Sequence, residues 1–325
     1  MPWLPGLAAA TRYLALIWAL PSLVATGVAA GDFAYVTNQN SDNVSVLDLE
    51  TGSELRRIPV AGKPAGVVVD GQGRFYTVSP DSKTVRRFDA ATDRVIAETV
   101  LDGGPIGIAL DGARRHVFVS DWYNARVWVL NADTLEQIAT LATGSAPAGL
   151  ALSPDGRLLA CAERDADAVS IFETATLALA RRVQVGSRPF GLGFAPDGRL
   201  FVGNVGSDDV SVVDVSAGAV LATVPVGARP YGVAFAAGRA FVSNQYADTV
   251  SVIDLGTLAA VATIGVGEYP EGIDSTTDGS RVVVANWFSN SVSVIDATLL
   301  QVTDEITTGD GPRAFGRFVG KGVRE

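Results

Sequence analysis

The residue types that most often carry acid–base, nucleophilic and soft-metal chemistry are scarce in this chain. It contains one histidine, His116, one cysteine, Cys161, and one methionine, Met1. A Ser-His-Asp or Cys-His arrangement would have to use His116. A zinc–thiolate site needs several cysteines, and a haem needs an axial His, Met or Cys. The composition therefore excludes disulfide frameworks and soft-ligand metal centres, and we expect no cofactor.

Charged and aromatic residues instead lie beside seven prolines, most of them in Gly-x-x-Pro loops. The flanking residues include four cations, three aromatic rings and one carboxylate: Lys63, Arg188, Arg229, Arg313, Phe190, Tyr231, Tyr269 and Glu271. Guanidinium groups bind planar anions through paired hydrogen bonds and stack on aromatic faces. If these side chains converge, they form a site for a small anionic ligand. The alternative is that they fan outwards and lie in solvent.

Polar residues also recur at the ends of short apolar runs, and we call them the anchor residues. They are Asn38, Ser79, Asp121, Glu163, Asn204, Asn244 and Asn286. Because asparagine recurs at this position, we favour a structural role.

Aromatic residues follow three of the anchors: Trp122, Tyr123, Tyr246, Trp287 and Phe288. They could form an apolar contact patch for a partner protein. They could equally pack against neighbouring loops, and we favour packing.

The elements that position these residues repeat seven times. The anchors are spaced by 41, 42, 42, 41, 40 and 42 residues, and the seven prolines show the same six spacings. Apolar residues alternate with a period of two, which is typical of strands. In the fifth unit we predict strands at 191–195, 200–204, 210–214 and 219–226. Four antiparallel strands in about 40–45 residues indicate a propeller blade.

We therefore predict an all-β fold, a seven-bladed β-propeller of four-stranded antiparallel blades, as one domain over residues 31–325. The domain begins in a second strand, 33–38, and ends in a first strand, 313–319, which should join the N-terminal blade and close the ring. Five aspartates that end third strands should cap the next turn: Asp48, Asp89, Asp214, Asp254 and Asp296.

Strand alternation assigns the loops to two faces. The proline loops and the loops after the anchors share one face, which we call the upper face. The opposite, lower face carries short, stereotyped turns and His116. Variable loops are the usual location of function, so we expect the binding site on the upper face. Cys161 falls inside a strand, where it should be a buried apolar residue.

Residues 1–30 have the features of a secretory signal peptide. An apolar run at 13–20 follows Arg12, and Val28-Ala29-Ala30 provides small residues for cleavage. A retained anchor is the alternative.

Cleavage leaves 24 basic and 35 acidic residues, a net charge of −11, which makes nucleic acid an unfavourable partner. Since no later segment is long and apolar enough to span a bilayer, we expect a monomeric protein in the periplasm or outside the cell.

The repeats AYVTN…DNVSVLD and FVSN…DTVSVIDLGT resemble those of the YVTN-type β-propellers of bacteria and archaea. The resemblance spans residues 33–319 and implies an exported seven-bladed propeller. Some relatives occur alongside pyrroloquinoline-quinone-dependent alcohol catabolism, and others bind single-stranded DNA. More distant relatives include lactonases, which can hold a divalent metal at the channel mouth. The fold alone does not choose among these functions.

The sequence thus predicts a non-catalytic, exported propeller that binds a small anionic ligand or a periplasmic partner protein. The resemblance implies that it is an accessory to a periplasmic, quinone-dependent oxidation system. The predicted binding residues are Lys63, Arg188, Phe190, Arg229, Tyr231, Tyr269, Glu271, Arg313, Trp122 and Trp287. The first alternative is a metal-assisted, lactonase-like hydrolase that uses Asp121, Glu163, Asn204 and Asn244. The second is single-stranded nucleic acid binding.

Overall fold

A computed structural model describes residues 1–3 and 31–321 of the protein. It contains seven four-stranded antiparallel sheets arranged as the blades of a propeller, which confirms the predicted fold. The predicted signal peptide, apart from its first three residues, and the end of the predicted domain at 322–325 lie outside the described residues. Within those residues, no helix is long and apolar enough to cross a membrane.

Blade 1 combines both ends of the domain, and blades 2 to 7 each use four consecutive strands. From the channel outwards, blade 1 consists of β28 (Val319–Lys321), β1 (Asp32–Asn38), β2 (Asn43–Asp48) and β3 (Ser53–Pro59). Blade 2 consists of β4 (Gly66–Val69), β5 (Arg74–Ser79), β6 (Thr84–Asp89) and β7 (Arg94–Val100). Blade 3 consists of β8 (Pro105–Asp111), β9 (His116–Asp121), β10 (Arg126–Asn131) and β11 (Gln137–Ala142). Blade 4 consists of β12 (Pro147–Leu152), β13 (Leu158–Glu163), β14 (Ala168–Glu173) and β15 (Leu179–Gln184).

Blade 5 consists of β16 (Pro189–Phe194), β17 (Leu200–Asn204), β18 (Asp209–Asp214) and β19 (Ala219–Pro225). Blade 6 consists of β20 (Pro230–Ala236), β21 (Arg239–Asn244), β22 (Thr249–Asp254) and β23 (Ala260–Gly265). Blade 7 consists of β24 (Pro270–Ser275), β25 (Arg281–Asn286), β26 (Ser291–Asp296) and β27 (Gln301–Thr307). The four strands predicted for the fifth unit are confirmed, with ends shifted by no more than two residues. One 3-10 turn, Arg164–Ala166, follows β13.

The core lies between the faces of neighbouring blades. The Phe75 ring of blade 2 stacks on Phe88 with centroids 4.5 Å apart, and it lies 4.7 Å from the Tyr35 ring of blade 1. Because both faces of a blade are covered, the second and third strands are buried almost along their whole length, as in β17. The outer strands are mostly exposed, as in β7.

Short polar contacts set the turns within each blade. The five predicted aspartate caps are confirmed, since Asp48, Asp89, Asp214, Asp254 and Asp296 each accept backbone N–H groups two and three residues later. The anchor asparagines donate from Nδ2 to a serine in the third strand, as Asn204 does to Ser211 at 2.9 Å. These contacts agree with the structural role that we favoured for the anchors.

Glycine allows the inner strands to approach one another around the channel. The proline that recurs in each of the seven units is called the rim proline below. In six blades a glycine stands two residues after it: Gly66, Gly107, Gly149, Gly191, Gly232 and Gly272. A Cβ on Gly191 would lie 2.0 Å from the carbonyl oxygen of Tyr231 in the next blade. Any side chain there would force the inner strands apart.

The C-terminal segment closes the ring, but the predicted bounds of its strand, 313–319, are wrong. Only Val319–Lys321 pairs regularly with β1. The position of the repeated glycine is taken by Ala314, which adopts a left-handed conformation with φ of 51°, and Gly316 follows with φ of 120°. The segment therefore leaves the strand path between the rim proline and β28, and this places Phe315 in contact with rings of blades 5 and 6.

Candidate functional site

Four of the residues that precede the rim prolines share one backbone conformation, and their N–H groups have the same kind of hydrogen-bond partner. Lys63, Arg188, Arg229 and Tyr269 have left-handed φ values of 61°, 51°, 55° and 60°. Such angles are uncommon for residues other than glycine. The N–H of each donates to an aspartate 21 residues earlier, at 2.7 to 2.8 Å. These hydrogen bonds offset the strain of the turn.

The three cations of that set do not form a ring with Arg313. Lys63 Nζ donates to the carbonyl oxygen of Asn40 at 3.2 Å, and Arg229 lies over Tyr246. The Arg188 side chain is exposed. Lys63 and Arg229 therefore have partners other than Glu271, Trp287 and Phe315, which are the partners of Arg313.

Two of the residues that follow the rim prolines meet in an aromatic cluster at the upper end of the channel. The Phe190 ring stacks on Tyr231 with centroids 4.1 Å apart. Phe315 lies 5.5 Å from Phe190 and 5.8 Å from Tyr231, and Trp122 lies 6.1 Å from Phe190. These rings come from blades 1, 3, 5 and 6, so the aromatic cluster spans the channel. Burial raises the pKa of Tyr231, and the nearby Glu271 raises it further.

Arg313 lies beside this cluster and is held by two kinds of contact. Its guanidinium carbon is 4.1 Å from the centroid of Trp287 and 5.4 Å from that of Phe315. Its Nε is 3.2 Å from Oε2 of Glu271, an ion pair whose atoms are not aligned as a hydrogen bond. Among the described residues, neither Nη of Arg313 has a hydrogen-bond partner. Both terminal nitrogens therefore remain available to a ligand.

Glu271 is a buried carboxylate at the same end of the channel, with 1 % of its surface exposed. Its Oε1 accepts a hydrogen bond of 2.7 Å from Nε2 of Gln245. Burial raises the pKa of Glu271 to about 7, because desolvation outweighs the opposing effects of Arg313 and Gln245. Glu271 therefore changes its protonation state near neutral pH.

Two members of this arrangement, Gln245 and Phe315, were missed by the sequence analysis. Gln245 directly follows an anchor residue, as Trp122 and Trp287 do, so its position carried a signal that we did not use. Phe315 lay inside the strand predicted at 313–319, and nothing in the sequence indicated that this segment would leave the strand path.

A second group of aromatic side chains forms an exposed stripe on the upper face, which we call the aromatic stripe. Arg229 lies 4.0 Å from the centroid of Tyr246, Tyr246 lies 5.3 Å from Tyr269, and Tyr269 lies 4.7 Å from Phe288. The exposed fractions of Tyr246 and Phe288 are 54 % and 61 %. Trp122 and Trp287 are half-buried against their neighbours instead.

The residues considered for a metal have other partners. Asp121 lies 2.7 Å from Arg126 and accepts the N–H of Gly104. Burial raises the pKa of Asp121, but its hydrogen bonds outweigh that effect and the net pKa is lowered. Glu163 lies 2.7 Å from Arg182. Asn204 and Asn244, on two other blades, bind serines of their third strands.

Among the described residues, no group of three or more His, Cys, Asp or Glu side chains could hold a metal ion. His116 begins β9 at the lower end of blade 3, packed edge-on against Phe118. Cys161 is fully buried in β13, and burial raises its thiol pKa well above the ordinary value. Neither residue lies near Arg313 or Glu271.

Comparisons with known proteins identify a family and a fold. The sequence profile of the YNCE-like beta-propeller family matches residues 21–195 and 192–318. No protein of curated function matches the chain. A solved structure of a functionally unknown protein from Desulfotomaculum acetoxidans is similar, with a TM-score of 0.76 and 16 % sequence identity over 90 % of this chain and 99 % of that one. At this identity the similarity concerns the fold alone.

Proposed function

The chain belongs to the YNCE-like beta-propeller family, and we propose that it is an exported, non-catalytic binding protein for a small anionic ligand. The ligand binds at the upper end of the channel, with its anionic group on Arg313 and its apolar part against the aromatic cluster.

The position of Arg313 is the observation that supports this proposal. Its Nε faces Glu271, its planar surface lies against Trp287 and Phe315, and its terminal nitrogens have no partner among the described residues. An arginine fixed in this way loses little conformational entropy on binding an anion, so more of the interaction energy appears as affinity. The nearby Phe190 and Tyr231 rings add apolar surface for the rest of the ligand.

The surroundings of Arg313 favour binding over catalysis. Glu271 is the ionisable carboxylate beside it, and its partners are Arg313 and Gln245. His116, the histidine that a hydrolytic triad would require, lies at the lower end of a different blade. The two carboxylates proposed for a metal-assisted hydrolase are paired with Arg126 and Arg182.

A thermal-shift screen of the protein without residues 1–30 tests the proposal, with phosphate, sulfate, benzoate and citrate as probes. Isothermal titration then measures affinity for any anion that raises the melting temperature. Arg313→Lys keeps the charge but loses the planar fork, and we expect about a tenfold loss of affinity. Arg188→Lys, an exposed arginine on the same face, is the matched control and should bind as the wild type does. Equal binding by Arg313→Lys would contradict the proposal.

Single-stranded nucleic acid binding is the second candidate, and the aromatic stripe favours it. The ring of Tyr269 contacts Tyr246 on one side and Phe288 on the other, and all three rings are partly exposed. Arg229 lies over Tyr246. Bases stack on such platforms, while cations contact the phosphates. A labelled oligo-dT should then bind with an affinity that falls steeply with salt and that Tyr246→Ala reduces. Salt-independent binding, or no loss in Tyr246→Ala, would exclude this candidate.

A further inference from the structure

The central channel forms a cavity of about 890 Å³ to which all seven blades contribute. Its upper end is bounded by the aromatic cluster and by buried residues such as Glu271. Its lower end is bounded by exposed residues: Gly112, Pro154, Thr277, Arg317 and Lys321. The cavity therefore opens on the lower face, opposite to Arg313.

The wall of the cavity is apolar between its two ends. The side chains along it include Ile108, Leu150, Leu192, Val233, Phe235 and Ile273. Apart from Tyr231 and Glu271, the polar side chains of the wall come from the lower ends of the inner strands and the turns that follow them. Small-molecule sites have this composition, a mostly apolar wall with a few polar groups, and volumes of roughly 300–1,000 Å³.

The charges at the lower mouth are satisfied, with one exception. The carboxylates of Asp70, Asp111, Asp155 and Asp274 each accept backbone N–H groups, and Lys321 lies 3.2 Å from Asp32. Arg317 is exposed and forms no side-chain hydrogen bond or close ion pair among the described residues. Burial raises the pKa of the nearby Asp274, and the charge of Arg317 partly offsets that rise. Arg317 also borders a neighbouring recess of about 320 Å³, so a head group has room beside it.

We propose that the channel is a binding site for an amphiphilic anion, whose apolar chain fills the cavity and whose carboxylate binds Arg317 at the lower mouth. The apolar wall removes the chain from water. The exposed guanidinium of Arg317 provides a charge-assisted hydrogen bond to the head group. The head group of this ligand lies at the opposite end of the channel from Arg313, and the cavity meets the upper site only at the aromatic cluster and Glu271. The proposal does not depend on the function proposed above.

Fluorescence titration with dansyl-undecanoic acid tests the proposal, because the fluorescence of the dansyl group increases in apolar surroundings. Val233→Trp fills the cavity and should weaken binding at least about tenfold. Arg317→Ala should weaken binding of the acid by about tenfold and leave its neutral methyl ester unaffected. Arg157→Ala removes another lower-face arginine, whose side chain is 80 % exposed, and should bind both probes as the wild type does.

Circular dichroism and melting temperature establish that each variant is folded. If Val233→Trp is unfolded, Leu110→Trp fills the cavity from another blade and replaces it. Absence of saturable binding, or equal binding by a folded cavity-filling variant, overturns the proposal. So does binding that Arg313→Lys abolishes and Val233→Trp leaves intact, since the probe would then occupy the upper site.

Discussion

Replacement of Glu271 by glutamine should change how the stability of the protein depends on pH. The side chain keeps its shape and can still accept a hydrogen bond from Gln245, but it no longer ionises. The pKa of Glu271 in the folded protein is about 7, against an ordinary value of 4.5. A carboxylate whose pKa is raised by folding contributes stability below the unfolded value, and this contribution is lost as pH rises through the folded value.

The size of the effect follows from the two pKa values. One unit corresponds to 1.36 kcal/mol, and about two and a half units separate the folded from the unfolded protein, so the full effect is about 3 kcal/mol. Between pH 5 and pH 8 the wild type should lose about 2–3 kcal/mol relative to Glu271→Gln. The charged or titratable groups facing Glu271 are Arg313, Tyr231 and Tyr269. Burial raises the pKa values of the two tyrosines, so neither ionises in this range.

Urea unfolding followed by tryptophan fluorescence at pH 5, 6, 7 and 8 measures this difference for the two proteins. The control is Glu268→Gln, which changes an exposed glutamate in the same loop. Its free energy of unfolding relative to wild type should not rise with pH in the same way. A difference between wild type and Glu271→Gln that stays constant, or that falls with pH, would refute the reasoning. It would mean that Arg313 keeps Glu271 ionised despite its burial.

Three further predictions concern the scaffold. Gly191→Ala should destabilise the protein by about 1–3 kcal/mol in urea unfolding, because its Cβ would lie 2.0 Å from the carbonyl oxygen of Tyr231; Gly112→Ala, which meets nothing within 4 Å, is the control, and equal effects would contradict the argument. Phe318→Ala should cost about 3–5 kcal/mol in the same assay, because this fully buried ring belongs to the segment that closes blade 1; a loss below 1 kcal/mol would show that ring closure contributes little. Cys161 should react with a thiol reagent only after unfolding, because it is buried and its pKa is raised; rapid reaction of the native protein would disprove its burial.

The fold could be predicted from the sequence because its structural residues repeat. Each blade needs the same rim proline, the same close approach of inner strands and the same third-strand turn, so these residues recur at fixed spacing. The closing strand was the exception. Ala314 stands where six blades have glycine, and a Cβ in the strand conformation would collide with the neighbouring blade, as the geometry of Gly191 shows. The alternative conformation of Ala314 cannot be deduced from the pattern.

The candidate site could be predicted only in part, for a reason that lies in the backbone. The residues on the two sides of each rim proline were treated as one group. In blades 5 to 7, however, the preceding residue is left-handed and the following one is the second residue of the inner strand. The side chains of Lys63 and Arg229 have partners different from those of Arg313. The sequence did contain a signal for this geometry, since an aspartate stands 21 residues before each of Lys63, Arg188 and Arg229 and accepts its N–H.

The same repetition helps to separate structural residues from functional ones within a single chain. Proline, glycine and the anchor residues serve the same structural purpose in most blades, so their chemistry carries little functional information. The position after the rim proline is not structural in this sense. Two blades have alanine there, so the scaffold does not need a larger side chain at this position. In blades 5, 6, 7 and 1 it holds Phe190, Tyr231, Glu271 and Arg313, and these four contact one another or share Phe315 as a neighbour. Since the scaffold does not require large or charged side chains there, their meeting at one end of the channel is the feature on which the proposed ligand site rests.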